Sequence, residues 1–131
     1  MNELPKPNLE GELNKGLEGI SYDPENKKFF LLNEKDPCLL LSFGENLNEL
    51  SRDTLNFIKD ASGIHFDAKN KSLWILSDES RCVTKCDLNG SPLQKYYISI
   101  AQPEGLTIDA EGKKMYIVSD INSSLYVFSL E

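Results

Sequence analysis

The sequence has few of the residues that build disulfide and zinc sites. It contains one histidine, His65, and three cysteines among 131 residues. Cys82 and Cys86 lie four positions apart on a predicted strand, a separation of roughly 13 Å that excludes a disulfide between them. No second ligand pair at short spacing accompanies them, as a zinc site would require. We therefore expect Cys38, Cys82 and Cys86 to be structural thiols.

Positive charge and long apolar runs are also scarce. Fourteen Lys and Arg stand against 21 Asp and Glu, which gives a formal net charge of -7. This balance disfavours nucleic acid and anionic lipid as partners and favours cations. Residues 1–15 are polar and contain neither a membrane span nor an export signal, so we expect a cytoplasmic protein. With 40% apolar residues, the chain 1–131 is predicted to fold as a single domain.

A six-residue motif occurs three times. In each copy a glycine is followed four positions later by an aspartate, and the glycines lie 44 and then 42 residues apart. A polar turn, an apolar strand, a small polar residue and an acid follow each copy at the same spacing. The copies are Glu18–Asp23, Ser62–Asp67 and Glu104–Asp109, and the terminal pairs are Asn33-Glu34, Ser77-Asp78 and Ser119-Asp120. This recurrence indicates an internal structural repeat.

The repeat length and the strand pattern favour a β-propeller. The apolar run 73–76 is hydrophobic on both faces, which is typical of a sheet covered on both sides. A period near 43 residues with four short strands matches a propeller blade, whereas a β-sandwich or a solenoid explains the repeat less well. We predict an all-β fold of three four-stranded antiparallel repeats, at 16–60, 61–102 and 103–131, the last ending after its third strand.

Three blades do not close a ring, because closed propellers have four to eight. Either the chain is part of a longer six-bladed propeller, or two copies associate as a homodimer to complete one. An exposed blade face and an unpaired strand edge favour association with a second copy or with a complementary propeller fragment. The N-terminal segment 1–15, with Gly11–Asn14 as the candidate, is predicted to supply an edge strand to the last sheet.

The repeat aspartates are predicted to be structural. An aspartate before a hairpin accepts hydrogen bonds from turn amides, and one such residue in every blade is what a structural role produces. The same turns carry residues that tolerate positive φ, Asn26, Asn70 and Gly112. The structural-turn residues are Asp23, Asp67 and Asp109.

Acidic residues gather at one end of the predicted blades. Glu18, Ser62 and Glu104 precede the repeat glycines and are expected at the mouth of the central channel. Two carboxylates there repel each other unless a cation lies between them, and calcium, which prefers oxygen ligands, fits such a ring. Glu18 and Glu104 are therefore the candidate metal ligands, with solvation as the alternative. The remaining channel-lining candidates are Glu34, Asp78, Glu79 and Asp120.

These motifs resemble those of the bacterial SdiA-regulated propeller family. The resemblance covers about residues 16–131 and is carried by 62–67, 77–81 and 102–109 in that order and spacing. It implies a propeller, a cell-envelope location if the chain is part of a longer member, and calcium binding. A looser likeness to gluconolactonase-type propellers implies that Glu18 and Glu104 hold a divalent metal.

Three functional hypotheses follow. The first is a binding propeller of undefined ligand, calcium-stabilised at the channel mouth. The second is a metal-dependent hydrolase of the lactonase or phytase type, which requires further ligands and a general base. The third is a structural half-ring that acts by pairing with another fragment. His65 is interpreted as a packed or hydrogen-bonded residue, and Trp74 as part of the core.

Overall fold

A computed structural model describes residues 16–131 of the chain. Its strands form three consecutive groups, which we call blades 1, 2 and 3. No helix in this part of the chain is long and apolar enough to cross a membrane. Blade 1 contains β1 (Leu17–Asp23), β2 (Lys28–Asn33), β3 (Leu39–Gly44) and β4 (Glu49–Thr54); blade 2 contains β5 (Gly63–Asp67), β6 (Ser72–Ser77), β7 (Cys82–Cys86) and β8 (Pro92–Tyr97); blade 3 contains β9 (Pro103–Ile108), β10 (Lys114–Ser119) and β11 (Ser124–Ser129), with a short 3-10 turn at Ile121–Ser123.

Each blade is one antiparallel sheet whose strands lie in chain order. Blades 1 and 2 have four strands, and blade 3 has three among the described residues. The predicted all-β architecture of antiparallel blades is confirmed. The edge strand predicted from Gly11–Asn14 falls on residues outside the described range.

The first strand of each blade is innermost, because β1 packs on β5 and β5 packs on β9. The repeat glycines allow this approach: a Cβ on Gly19 would lie 3.1 Å from Cγ2 of Ile64. A hydrogen bond from the Phe66 amide to Ser21 Oγ, 2.8 Å long, links β5 to β1. The three sheets therefore fan around a common axis.

Two apolar cores fill the spaces between neighbouring blades. In the first, Phe30 and Leu32 of blade 1 pack against blade 2, and the rings of Phe30 and Phe66 stack at 5.8 Å. In the second, Trp74 and Leu76 pack against blade 3. Every residue of β6 is buried, as expected for a strand covered on both faces, whereas β10 is buried on one face only.

The repeat aspartates bind the turns that follow them. Asp23 Oδ1 accepts the amides of Glu25 and Asn26 at 3.0 and 3.2 Å, and its Oδ2 accepts Asn26 Nδ2 at 2.8 Å. Asp67 repeats this pattern with its own turn, and Asp109 accepts two turn amides.

The prediction of positive φ at two of these turns is wrong by one residue. Lys27 and Lys71, with φ of 54° and 50°, adopt the left-handed conformation instead of Asn26 and Asn70. The asparagines are held by their side-chain hydrogen bonds to the repeat aspartates, so the following residue reverses the chain. Gly112, with φ of 74°, has the predicted conformation.

Candidate functional site at the acidic rim

One end of the three blades carries a set of carboxylates that we call the acidic rim. Each first strand begins where the antiparallel second strand ends, as the pairs Leu17 with Asn33 and Pro103 with Ser119 show. Acids before the repeat glycines and acids after the second strands therefore share one edge. The rim comprises Glu18, Glu34, Asp78, Glu104 and Asp120.

Glu18 and Glu104 occupy β-bulges at equivalent positions. Along β1 the paired residues step from Leu17 to Gly19 while the partner strand advances by one residue, so Glu18 is the extra residue. The register of β9 shifts in the same way around Glu104. A bulge leaves its extra residue unpaired and changes the direction of its side chain. Both carboxylates are exposed.

The acids of the rim act on one another electrostatically. Partial burial raises the pKa of Glu104, and the negative charges of Asp120, Asp78, Glu18 and Glu34 raise it further. These four acids come from all three blades, so the fold brings together carboxylates that are up to 102 positions apart in the sequence. The rim is a site of concentrated negative charge that a bound cation would relieve.

Two residues predicted to line the channel have other surroundings. Glu79 Oε2 lies 2.7 Å from Lys35 Nζ, in an ion pair that joins the rims of blades 1 and 2. The hydrogen bond to Glu79 raises the pKa of Lys35. Ser62 is buried, and its hydroxyl donates to the carbonyls of Leu76 and Pro103 at 3.3 and 3.0 Å. Ser62 therefore lies beneath the rim and connects blades 2 and 3.

A small polar residue supports the rim at the end of each second strand. In blade 1 the Asn33 side chain donates to the Pro37 carbonyl at 2.7 Å, and in blade 3 Ser119 Oγ donates to the Ala101 carbonyl at 2.6 Å. In blade 2 Ser77 Oγ donates to the buried carboxylate of Asp60 at 2.5 Å. The three side chains fix the turns that carry the rim acids.

Asp60 was not predicted from the sequence as a residue of the rim. Its Oδ1 accepts both Ser77 Oγ and the Glu79 amide, the latter at 2.9 Å, so it holds the turn that follows β6. The corresponding positions in blades 1 and 3 are Gly16 and Gln102, so the repeat gave no signal for it. Lys35 was missed for the same reason, since the other blades have no lysine at that place.

The histidine and the cysteines lie away from the rim. His65 Nδ1 lies 3.2 Å from Thr107 Oγ1, a hydrogen-bond contact between blades 2 and 3, and burial lowers the pKa of His65. All three cysteines are free and buried. Burial raises the pKa of Cys38 and Cys86 to about 12, which keeps both as neutral thiols rather than thiolate ligands.

The rim supplies carboxylate oxygens, which suit a hard cation, but its acidic side chains do not stand close together. Carboxylate oxygens are the ligands that calcium prefers, and it takes six to eight of them. Within residues 16–131, however, no three His, Cys, Asp or Glu side chains stand close enough together to hold a metal ion. A cation held by Glu18 and Glu104 would therefore have to complete its shell with water or with groups from another molecule.

Comparisons with known proteins agree with the fold. A family model described as SdiA-regulated matches residues 4–129. The solved structure of hydrazine synthase from Kuenenia stuttgartiensis is similar at a TM-score of 0.72 and 14% identity, over 98% of this chain and 36% of that one. A nidogen/laminin complex is similar at a TM-score of 0.68 and 13% identity, over 86% of this chain and 43% of that one. This chain spans less than half the length of either neighbour.

Proposed function

The chain belongs to the SdiA-regulated family, and from that premise we propose that it is a propeller binding module whose acidic rim binds cations, with calcium as the first candidate. In this proposal the blades serve as a rigid support, and binding rather than catalysis is the activity. Glu18 and Glu104 are the direct ligands, and the other rim acids supply attraction at longer range.

The observation that carries this proposal is the placement of acids from all three blades along one edge. The raised pKa of Glu104 agrees with it: partial burial raises that pKa most, and the charges of four carboxylates from three blades raise it further, so the unliganded fold holds negative charges that repel one another. A divalent cation converts that repulsion into attraction. The formal net charge of -7 draws cations to the whole molecule and adds to this local effect.

The open spacing of the acids predicts weak binding. With two direct carboxylates and water in the remaining positions, we expect a dissociation constant of about 0.1–1 mM, the range of sites with few charged ligands. Such a site would respond to millimolar calcium. Magnesium, which gives up its water reluctantly, would bind more weakly.

Association completes the proposal. We propose that the blades pair with a second copy of the chain or with a complementary propeller fragment, which would bring further acids to the same channel mouth. The exposed apolar side chains of blade 3 support this, since Val118, Leu125 and Val127 are about half exposed or more. The cytoplasmic location expected from the sequence stays a prediction.

Thermal unfolding with and without calcium tests the cation proposal. At 10 mM calcium the parent protein should gain about 1–3 kcal/mol of stability, which raises Tm by several degrees. Glu104→Gln should lose most of that gain, whereas the control Glu111→Gln, a surface acid at the opposite end of blade 3, should keep it. An unchanged parent Tm overturns the proposal.

A further inference from the structure

An open cleft lies between the outer parts of blades 1 and 2. Its volume is about 480 Å³, within the range of small-molecule sites. One wall is the end of β4 and the segment after it, with Asp53, Thr54, Asn56 and Phe57, and the other wall is the turn before β8, at residues 89–92. None of the rim acids lines the cleft, so it is a separate feature of the surface.

Most side chains around the cleft are short and polar. A carboxylate, two hydroxyls and two amides both donate and accept hydrogen bonds there; they belong to Asp53, Thr54, Asn56, Asn89 and Ser91. Among the described residues, no Lys, Arg or His lines the cleft, and a single carboxylate supplies little of the charge that a metal site needs. The lining therefore suits a neutral ligand with many hydroxyl groups.

Three of these side chains are available to a ligand. Within the described part of the chain, no group hydrogen-bonds the Asp53 carboxylate or the side-chain amides of Asn56 and Asn89. Phe57 packs against the core between blades 1 and 2 and remains partly exposed beside them. A sugar combines hydroxyl groups with apolar C–H faces, and this cleft offers a partner for each.

The blade 2 wall of the cleft is fixed before any ligand binds. Asp87 Oδ1 accepts the amides of Asn89 and Ser91 at 2.9 and 3.0 Å, and the Gly90 amide donates to the Asp87 carbonyl at 3.1 Å. Gly90, with φ of 83°, is buried against blade 1, where an added Cβ would lie 3.2 Å from Cδ2 of Leu40. A turn held in this way lowers the cost of ordering the site when a ligand binds.

The equivalent cleft between blades 2 and 3 has a different lining. The strand register places Tyr96 and Tyr97 of β8 at the positions of Asp53 and Thr54 of β4. The cleft beside these tyrosines, of about 290 Å³, is lined mainly by apolar and aromatic side chains. The repeat therefore accepts apolar residues at this place, and the fold does not require the polar lining between blades 1 and 2.

We propose that the cleft between blades 1 and 2 binds a neutral saccharide. Asp53, Asn56 and Asn89 hydrogen-bond its hydroxyl groups, and Phe57 supplies the apolar surface for its ring. The site goes beyond the cation binding proposed above and uses none of the rim acids. A monosaccharide in so open a cleft should bind weakly, with a dissociation constant of about 1–10 mM.

Two-dimensional proton–nitrogen NMR titration tests the site, with glucose, galactose, mannose and N-acetylglucosamine as separate probes. At least one of these sugars should give saturable shifts at the amides of Asn56, Asn89 and Gly90. Asp53→Ala should weaken its binding by about tenfold or more, because hydrogen bonds to a charged group are the strong ones. The control Gln94→Ala, which changes an exposed side chain of β8 outside the cleft, should bind like the parent.

The absence of saturable shifts with all of these sugars overturns the inference. Equal affinity of the parent and Asp53→Ala overturns it too, as do shifts confined to another surface. Calcium and inorganic phosphate serve as charged probes, and tighter binding of either at the cleft amides overturns the neutral ligand class. If circular dichroism shows that Asp53→Ala does not fold, Asn56→Ala should weaken binding by about threefold or more, and an unchanged affinity there has the same meaning.

Discussion

A Cβ atom on Gly63 would lie 3.3 Å from the Cα of Gly105, so the inner strands of blades 2 and 3 meet backbone against backbone. Side chains of Leu106 and Leu76 close the same space at 3.3 and 3.4 Å. The repeat glycine therefore sets the distance between blades.

Gly63→Ala should destabilise the protein by about 1–3 kcal/mol, because the added methyl group overpacks a contact that includes backbone. Gly105→Ala is the control: its Cβ would meet only Cγ2 of Val118, an exposed side chain that can move. Urea unfolding followed by the fluorescence of Trp74 measures both. If the two variants lose the same amount of stability, the close approach of β5 and β9 is not the cause of the destabilisation.

Asp23→Ala should cost about 1–3 kcal/mol at pH 7, since the turn amides of Glu25 and Asn26 lose the buried carboxylate that accepts them. Burial alone would raise the pKa of Asp23, but hydrogen bonds from Asn26 and Glu25 outweigh it and lower that pKa below 3.8. A lowered folded-state pKa gives stability that is complete above the unfolded pKa and is lost as pH falls through the folded value.

Urea unfolding of the parent and Asp23→Ala between pH 2 and 7 checks this sign. The difference between them should shrink as pH falls below 3.8 and Asp23 takes up its proton. A difference that grows toward low pH would contradict the assignment.

Asp60→Ala should destabilise by about 1–3 kcal/mol, because Ser77 Oγ and the Glu79 amide lose a buried acceptor. Asp60→Asn retains one acceptor oxygen and should lose less. The same variants should be titrated with calcium, since the turn after β6 carries Asp78. If Asp60→Ala and the parent have the same urea midpoint, Asp60 does not stabilise the turn at the rim.

Glu104→Gln should stabilise the metal-free protein at pH 7 by a few tenths of a kcal/mol, the scale of exposed charge interactions. Its pKa is raised by burial and by neighbouring acids, so its ionisation opposes folding. The stability of the parent relative to the variant should therefore fall as pH rises from 4.5 through the raised pKa. High salt should reduce this stability difference. If Glu104→Gln is less stable than the parent at pH 7 in the presence of a chelator, the proposed repulsion between the acids is contradicted.

The features predicted correctly are those that the repeat displays three times. Glycine spacing predicted the inner strands, and the two-faced apolar run around Trp74 predicted a sheet covered on both sides. The same spacing predicts that the acids before each first strand and after each second strand share one edge, because antiparallel pairing joins the start of one strand to the end of the next.

Features that occur once, or that depend on the register, could not be read from the sequence. Asp60 has no equivalent in the other blades, and Ser62 has the position of Glu18 and Glu104 but is drawn under the rim by two carbonyls. Lys71 adopts the left-handed conformation that was predicted for Asn70, because the Asn70 side chain donates a hydrogen bond to Asp67. The β-bulge at Glu104 shifts the register between β9 and β10, and the hydrophobic pattern of the sequence does not indicate where such a bulge occurs.

Calorimetric titration of calcium at low ionic strength tests the cation-binding rim most directly. The parent should show saturable heat with a dissociation constant of about 0.1–1 mM, and the double variant Glu18→Gln, Glu104→Gln should show none. Absence of saturable heat in the parent, or equal affinity in the double variant, would contradict the account.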